Sequence, residues 1–237
     1  MKLSIHQPMY IPWIPYFFKL IQSDIFIFFD DVQYPRSKNY NNRNFIKTSQ
    51  GKSLLSISLK NRSDLLNINK IEINNEINWQ KKHWKSIYLN YKNSQIFRKY
   101  EKYFEELYLN KKWKYISDFN IELIKLISKL CNLETNFFNS SQLNLADCDI
   151  EQKIIKIITS FKANIYISGK GLGSMRHLNV DNLKKNNIQL KYCSYFDYSY
   201  KQLHGEFIKD CSILDLFFNL GEDSKQYLFD NSSLQDF

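Results

Sequence analysis

Three stretches of this chain combine polar side chains in ways that suit a binding cleft: IHQPMYIPW at residues 5–13, FFDDVQY at 28–34 and SGKGLGS at 168–174. The imidazole of His6 changes charge near neutral pH, so it can take a proton from a substrate or hydrogen-bond its hydroxyl. Gln7 beside it offers a donor and an acceptor in one amide. Pro8 and Pro12 shape the loop, Trp13 fills the core or faces a ligand, and Tyr10 suits either role. Asp30 and Asp31 are adjacent, so a continuing strand would send them to opposite faces; Asp31 is then the group facing a ligand and Asp30 a loop cap. Gln33, two residues on, shares the side of Asp31.

Arg43, framed by Asn42 and Asn44 and followed by Lys47, is the anion-binding candidate, because a guanidinium holds a phosphate or carboxylate through two parallel bonds. A structural ion pair with Asp30 or Asp31 is its alternative. His83 shares a helix face with Trp79 and would reach the cleft as a second candidate base, against the plain alternative of a solvated face. Half of the chain's 6 glycines fall within SGKGLGS, so Gly169, Gly171 and Gly173 would free backbone N–H groups after a strand, with Ser168, Lys170 and Arg176 as neighbours. Tyr200, Gln202 and His204 form a further polar and aromatic group. His6, Asp31 and His83 are thus the catalytic candidates. Gln7, Tyr10, Trp13, Asp30, Gln33, Arg43, Asn44, Ser168, Gly169, Lys170 and Gln202 are the substrate-binding ones.

Positioning these groups needs strands that end together. Leu3–His6 reads as a buried strand, and residues 13–22 as a helix with Pro12 at its first turn. Ile25–Phe29 is a continuous apolar run of an interior strand, and Leu54–Leu59 a half-exposed one. A helical pattern runs from Trp79 to about Cys131: Trp84, Ile87, Tyr88 and Tyr91 share one face, and Leu123, Leu126, Ile127 and Leu130 another. Asp149 caps a helix with the stripe Ile150, Ile154, Ile157, Ile158 and Phe161, and Ile165–Ser168 is the strand after it. Ser212 and Asp215 form a capping box for a helix that Gly221 closes. This alternation predicts an α/β fold with a mostly parallel, Rossmann-like sheet in one domain spanning 1–237: an α/β core of 1–60 and 133–237 and a helical block at 79–132. Ligands should then bind at the carboxyl ends of the strands, where His6-Gln7, Asp30-Asp31 and the glycine loop converge.

At 237 residues the chain can bury a sizeable core, and no apolar run approaches the ~20 residues of a membrane span. No secretory leader is evident, which predicts a cytoplasmic protein. The 4 cysteines lack metal-ligand spacing and read as buried free thiols. The net charge of +9 resides in the first half: residues 1–120 hold 20 basic and 10 acidic groups, and 121–237 hold 13 and 14. That asymmetry favours an anionic ligand without demanding DNA or RNA.

The motifs above, with Asn42-Arg43-Asn44 leading into Ile46-Lys47, KHWKSIY, YISG and SILDLFFNLG, resemble the WbqC-like family in order and over nearly the whole chain. Pro15 stands where that family usually has glycine in PWxGYF. Members typically occur among genes for O-antigen and other surface polysaccharides, so the resemblance implies a context of sugar assembly. Together these readings predict a transferase that moves an acyl or aminoacyl group onto an amino sugar or nucleotide-linked amino sugar. The expected partner is a small molecule; no metal motif is present and the cofactor stays open, with an acyl or aminoacyl donor one option. No GxSxG elbow or Walker loop supports hydrolysis or a kinase, and only one histidine of an HxGH-like start is present. Two alternatives stay open: an ATP-dependent adenylating or nucleotidyltransferase-like enzyme, and a non-catalytic RNA- or nucleotide-binding protein that stacks bases on Tyr34, Tyr40 and Phe45.

Overall fold

A computed structural model describes residues 1–35, 39–60, 66–143, 145, 148–171 and 178–237. Gly173 and Arg176 of the predicted glycine loop lie outside them. The central sheet has six strands, β1 (Lys2–His6), β2 (Ile25–Phe28), β5 (Asn136–Asn139), β6 (Ile165–Ser168), β7 (Gln189–Tyr195) and β8 (Ser232–Asp236), in the order β5-β2-β1-β6-β7-β8. Every pairing is parallel except that of β7 with β8. The fold is therefore α/β with a mostly parallel sheet. All four residues of β2 are buried, as a strand covered on both faces requires.

Helix α1 (Ile14–Ile21) crosses from β1 to β2. It starts one residue later than the sequence suggested, so Pro15, and not Pro12, occupies the first turn, where its missing N–H costs nothing. A second unit, the antiparallel hairpin of β3 (Arg43–Thr48) and β4 (Gly51–Ser56), stands apart from the main sheet. It overlaps the strand expected at 54–59 but ends three residues earlier.

Helices α2 (Trp79–Tyr91), α3 (Gln95–Glu105) and α4 (Ile116–Leu130) follow, so the connection from β2 to β5 holds the hairpin and the helical block. Trp79, His83, Trp84, Ile87 and Tyr91 are the buried face of α2, whereas Tyr88 is exposed. Helix α5 (Ile150–Ser160) begins as predicted, the Gln152 N–H donating to Asp149 Oδ1 at 2.8 Å. After α6 (Val180–Lys185) and β7, helices α7 (Ile213–Leu220) and α8 (Ser224–Asp230) precede β8. Gly221, at φ 61°, ends α7. The expected capping box does not form: Ser212 makes no side-chain cap, and the Asp215 carboxylate turns instead to Tyr91, Tyr200 and Gln202.

Candidate functional site

Strands β2 and β5 lie on one side of β1, and β6 and β7 on the other. The crevice beyond the carboxyl ends of β1 and β6 is thus the point where strand order reverses, the habitual ligand site of open α/β sheets. His6 and Gln7 leave β1 there, and Ser168, Gly169 and Lys170 leave β6.

His6 donates from Nδ1–H to the Gln7 carbonyl at 3.1 Å, which leaves the lone pair on Nε2. Its ring meets Tyr16 edge-on at 4.7 Å, and Tyr16 also donates its hydroxyl to the Gln7 carbonyl at 3.3 Å. Beneath this turn, Lys19 of α1 is 5% exposed and donates to the Ile5 carbonyl at 2.8 Å; no carboxylate faces it among the described residues. Burial pulls the Lys19 ammonium down to about 7, partly offset by the nearby Cys193 thiol. Burial, and then the Lys19 charge, pushes His6 down to about 3, so its imidazole is neutral at physiological pH. The Gln7 side chain is partly exposed and has no hydrogen-bond partner among the described residues. On β6, Ser168 is buried with its hydroxyl on the Gly169 carbonyl, and Lys170 reaches Gln235 Oε1 at 2.8 Å. A Cβ at Gly171 would meet no atom of the described residues within 4 Å, and its φ is not left-handed.

Beyond β2, the strand stops at Phe28 and the chain turns, which brings Asp30 and Asp31 to the same serine instead of opposite faces. Asp30 is the loop cap: it accepts from Ser141 N–H at 3.0 Å and from the Ser141 hydroxyl at 2.7 Å. Asp31 accepts from Ser140 and pairs with Lys153 of α5 at 2.7 Å, both side chains largely shielded. Gln33 is exposed, its backbone bridged to Asn67. Arg43 is half-buried and free of both aspartates, donating from Nε to the Asn39 carbonyl at 3.3 Å. The structural ion pair considered for it is not formed.

The loop from Pro8 to Pro12 is held by asparagines. Asn41 and Asn120 each donate to the Pro8 carbonyl at 3.1 Å, Asn44 donates to the Ile11 carbonyl at 2.8 Å, and Tyr10 N–H donates to the Tyr40 carbonyl at 2.9 Å. Ile11 sits at φ 34°, a region that a β-branched residue occupies only under constraint. Below it, the Tyr10 hydroxyl meets His83 Nδ1 at 2.7 Å and the Tyr108 hydroxyl at 2.9 Å. His83 is therefore neither on a solvated face nor at the cleft: it is 6% exposed, and burial lowers it to about 4, partly offset by its bond to the Ser56 backbone. Gln202 is likewise internal, donating to Asp215 Oδ2 at 2.7 Å while its own oxygen accepts from Ile208 N–H at 2.8 Å. Burial raises Asp215, which Lys47 opposes from its buried place on the carbonyls of Gly205 and Glu206.

His6 and Gln7 leave β1 beside the end of β6 that carries Ser168, Gly169 and Lys170, with Trp13 and Arg43 on the adjoining loop and hairpin, while Asp31 is bound to Ser140 and Lys153. Asp30, Asn44, Tyr10, His83 and Gln202 are committed to internal bonds. Sequence reasoning missed Lys153, Ser140, Ser141 and Lys19. Lys19 did leave a signal, as the one charge in the apolar run IPYFFKLI; Lys153 left none among so many lysines. Among the described residues, no group of three or more His, Cys, Asp or Glu could hold a metal ion, and no helix is long and apolar enough to cross a membrane.

The model of the WbqC-like protein family matches residues 7–227. The chain belongs to that family. Its span takes in the asparagine-bound loop, the helical block and every side chain placed above except those of His6 and Gln235. An uncharacterized protein of Mycobacterium tuberculosis, Rv1507c, is 31% identical over 231 residues, covering 96% of this chain and 97% of that protein. No solved structure matches this WbqC-like chain.

Proposed function

We propose that this WbqC-like protein is a cytoplasmic transferase of surface-polysaccharide assembly that places an acyl or aminoacyl group on a nucleotide-linked amino sugar. What supports this reading most is the switch point, where His6 and Gln7 leave β1 beside the end of β6, the Gln7 amide has no partner among the described residues, and Arg43 stands on the hairpin tied to the Pro8–Pro12 loop. Arg43 and the backbone after β6 take the diphosphate, and Gln7 orients the sugar's amine or hydroxyls. The amine nitrogen attacks the acyl carbonyl carbon, forming the C–N bond as the bond from that carbon to the donor's leaving group breaks. The nitrogen's proton passes to His6 Nε2 and then to the leaving group. Arriving phosphates oppose the Lys19 charge and raise the imidazole toward a useful basicity. His83, enclosed beside Tyr10, keeps a scaffold role.

Thermal denaturation with UDP- and dTDP-linked amino sugars tests this, with Gln7→Ala and Arg43→Ala alongside. A ligand at a hundredfold excess over Kd should add about 2.7 kcal/mol to the parent and much less to either variant. If no nucleotide sugar stabilises the parent and a short RNA does, with steep salt dependence, the transferase is replaced by the RNA-binding alternative. That alternative has already lost one of its stacking groups, since Tyr34 is 5% exposed.

A further inference from the structure

Trp13 and Tyr40 have no part in the steps above, yet their rings lie parallel within 7°, with centroids 6.5 Å apart. Two parallel faces of one orientation suit a flat ring laid against them better than a puckered sugar. Their mounts are fixed. Trp13 caps α1 and bridges to Ser212, and Tyr40 is tied through its carbonyl to Tyr10 N–H at 2.9 Å. Neither ring is sealed in the core: Tyr40 is 46% exposed, and Trp13 is only partly buried where it packs against the core. Arg43, three residues beyond Tyr40, holds only the Asn39 carbonyl among the described residues.

We propose that Trp13 and Tyr40 form a stacking subsite for the planar base of a nucleotide whose phosphates meet Arg43. This rests on the nucleotide-sugar reading and adds to it the part of the ligand that gives a nucleotide its advantage over a bare sugar phosphate. Stacking tolerates any base, since each has a π face, so the subsite selects the nucleotide class before the identity of the base.

Trp13 also supplies the readout. Trp79, Trp84 and Trp113 are 2%, 8% and 9% exposed, so an added base can stack on Trp13 alone of the four. UDP should quench tryptophan fluorescence in the parent and leave it unchanged in Trp13→Phe, while inorganic pyrophosphate, binding at Arg43 without a base, should not quench. Tyr40→Ala, at an exposed position that leaves the core intact, should weaken UDP about five- to 150-fold and leave pyrophosphate unaffected, with Tyr40→Phe restoring the affinity. Should Tyr40→Ala bind UDP as the parent does and UDP leave the parent's tryptophan fluorescence unchanged, the subsite is wrong and the nucleotide reading survives. If the parent binds neither UDP nor pyrophosphate, that reading fails and the subsite with it.

Discussion

At the scale of single residues, the mouth of the sheet is governed by a lysine that the fold keeps from water. Lys19 donates to the Ile5 carbonyl, one residue before His6, with nothing anionic to offset its charge among the described residues. Its folded pKa of about 7 lies below the ~10.4 of a free lysine, so the folded state prefers the neutral amine. Below pH 7 the group is charged in both states and the fold bears the full desolvation cost; between pH 7 and about 10 the unfolded chain holds the extra proton and stability rises with pH. Lys19→Met removes that cost at the expense of one hydrogen bond, and an apolar replacement of a buried charge is often stabilising. We expect its melting temperature to exceed the parent's by several degrees at pH 6, with the gain shrinking toward pH 10. An equal gain at both pH values would show that Lys19 does not titrate as burial requires. The place of His6 and Gln7 at the end of β1 was legible because the apolar run before them marks a strand. The commitment of His83 and Gln202 to internal bonds was not, since their partners Tyr10 and Asp215 lie 73 and 13 residues away.

Among elements, the ones read correctly were those with local signals. The apolar run of β2, the Asp149 cap of α5 and the Gly221 stop of α7 each depend on neighbours in sequence. The antiparallel hairpin was blurred because β4 alternates part-buried and exposed residues beside a partner strand that opens on Arg43 and Asn44, whose polar side chains disguise it. That disguise is functional in the structural sense: Asn44 is 1% exposed and holds the Ile11 carbonyl, with Ile11 in its unfavourable backbone region. Asn44→Ala leaves that carbonyl unpaired and should cost about 1–3 kcal/mol in urea denaturation, with a loss of nucleotide affinity as the loop relaxes. Unchanged stability would mean that the Pro8–Pro12 loop holds itself. Gly171→Ala probes the other edge of the crevice. With no described atom within 4 Å, it should leave stability the same or raised by about 0.4–1 kcal/mol, while weakening the diphosphate if backbone N–H groups approach it. Retained affinity would remove that stretch from the site.

For the whole molecule, two imidazoles on different elements, His83 buried and His6 partly so, set a common acid limit. His6 on β1 and His83 on α2 have folded pKa values of about 3 and about 4, both beneath the ~6.5 of a free imidazole. Their neutral forms fit the fold, so the stability they contribute is complete above pH 6.5 and is lost as the pH falls toward 4, where the unfolded chain binds protons that the folded one refuses. From pH 7 to 5 each should lose about 2 kcal/mol, a large share of the 5–15 kcal/mol that holds a typical protein together. Asp215 and Asp118 act in the opposite sense: burial raises both, so the stability their protonation adds is lost as the pH rises above the free carboxylate range. The net acid loss is therefore smaller than the imidazoles alone would give, and the sites must be followed one by one. In a nuclear magnetic resonance titration of the histidine rings, His6 and His83 should stay neutral down to pH 5 while the protein remains folded. A saturating nucleotide should then move His6 upward and leave His83, shut in with Tyr10 and Tyr108, where it was. If both rings moved together, the charge of the ligand would be reaching the core and the separation between a scaffold histidine and one at the cleft would be lost.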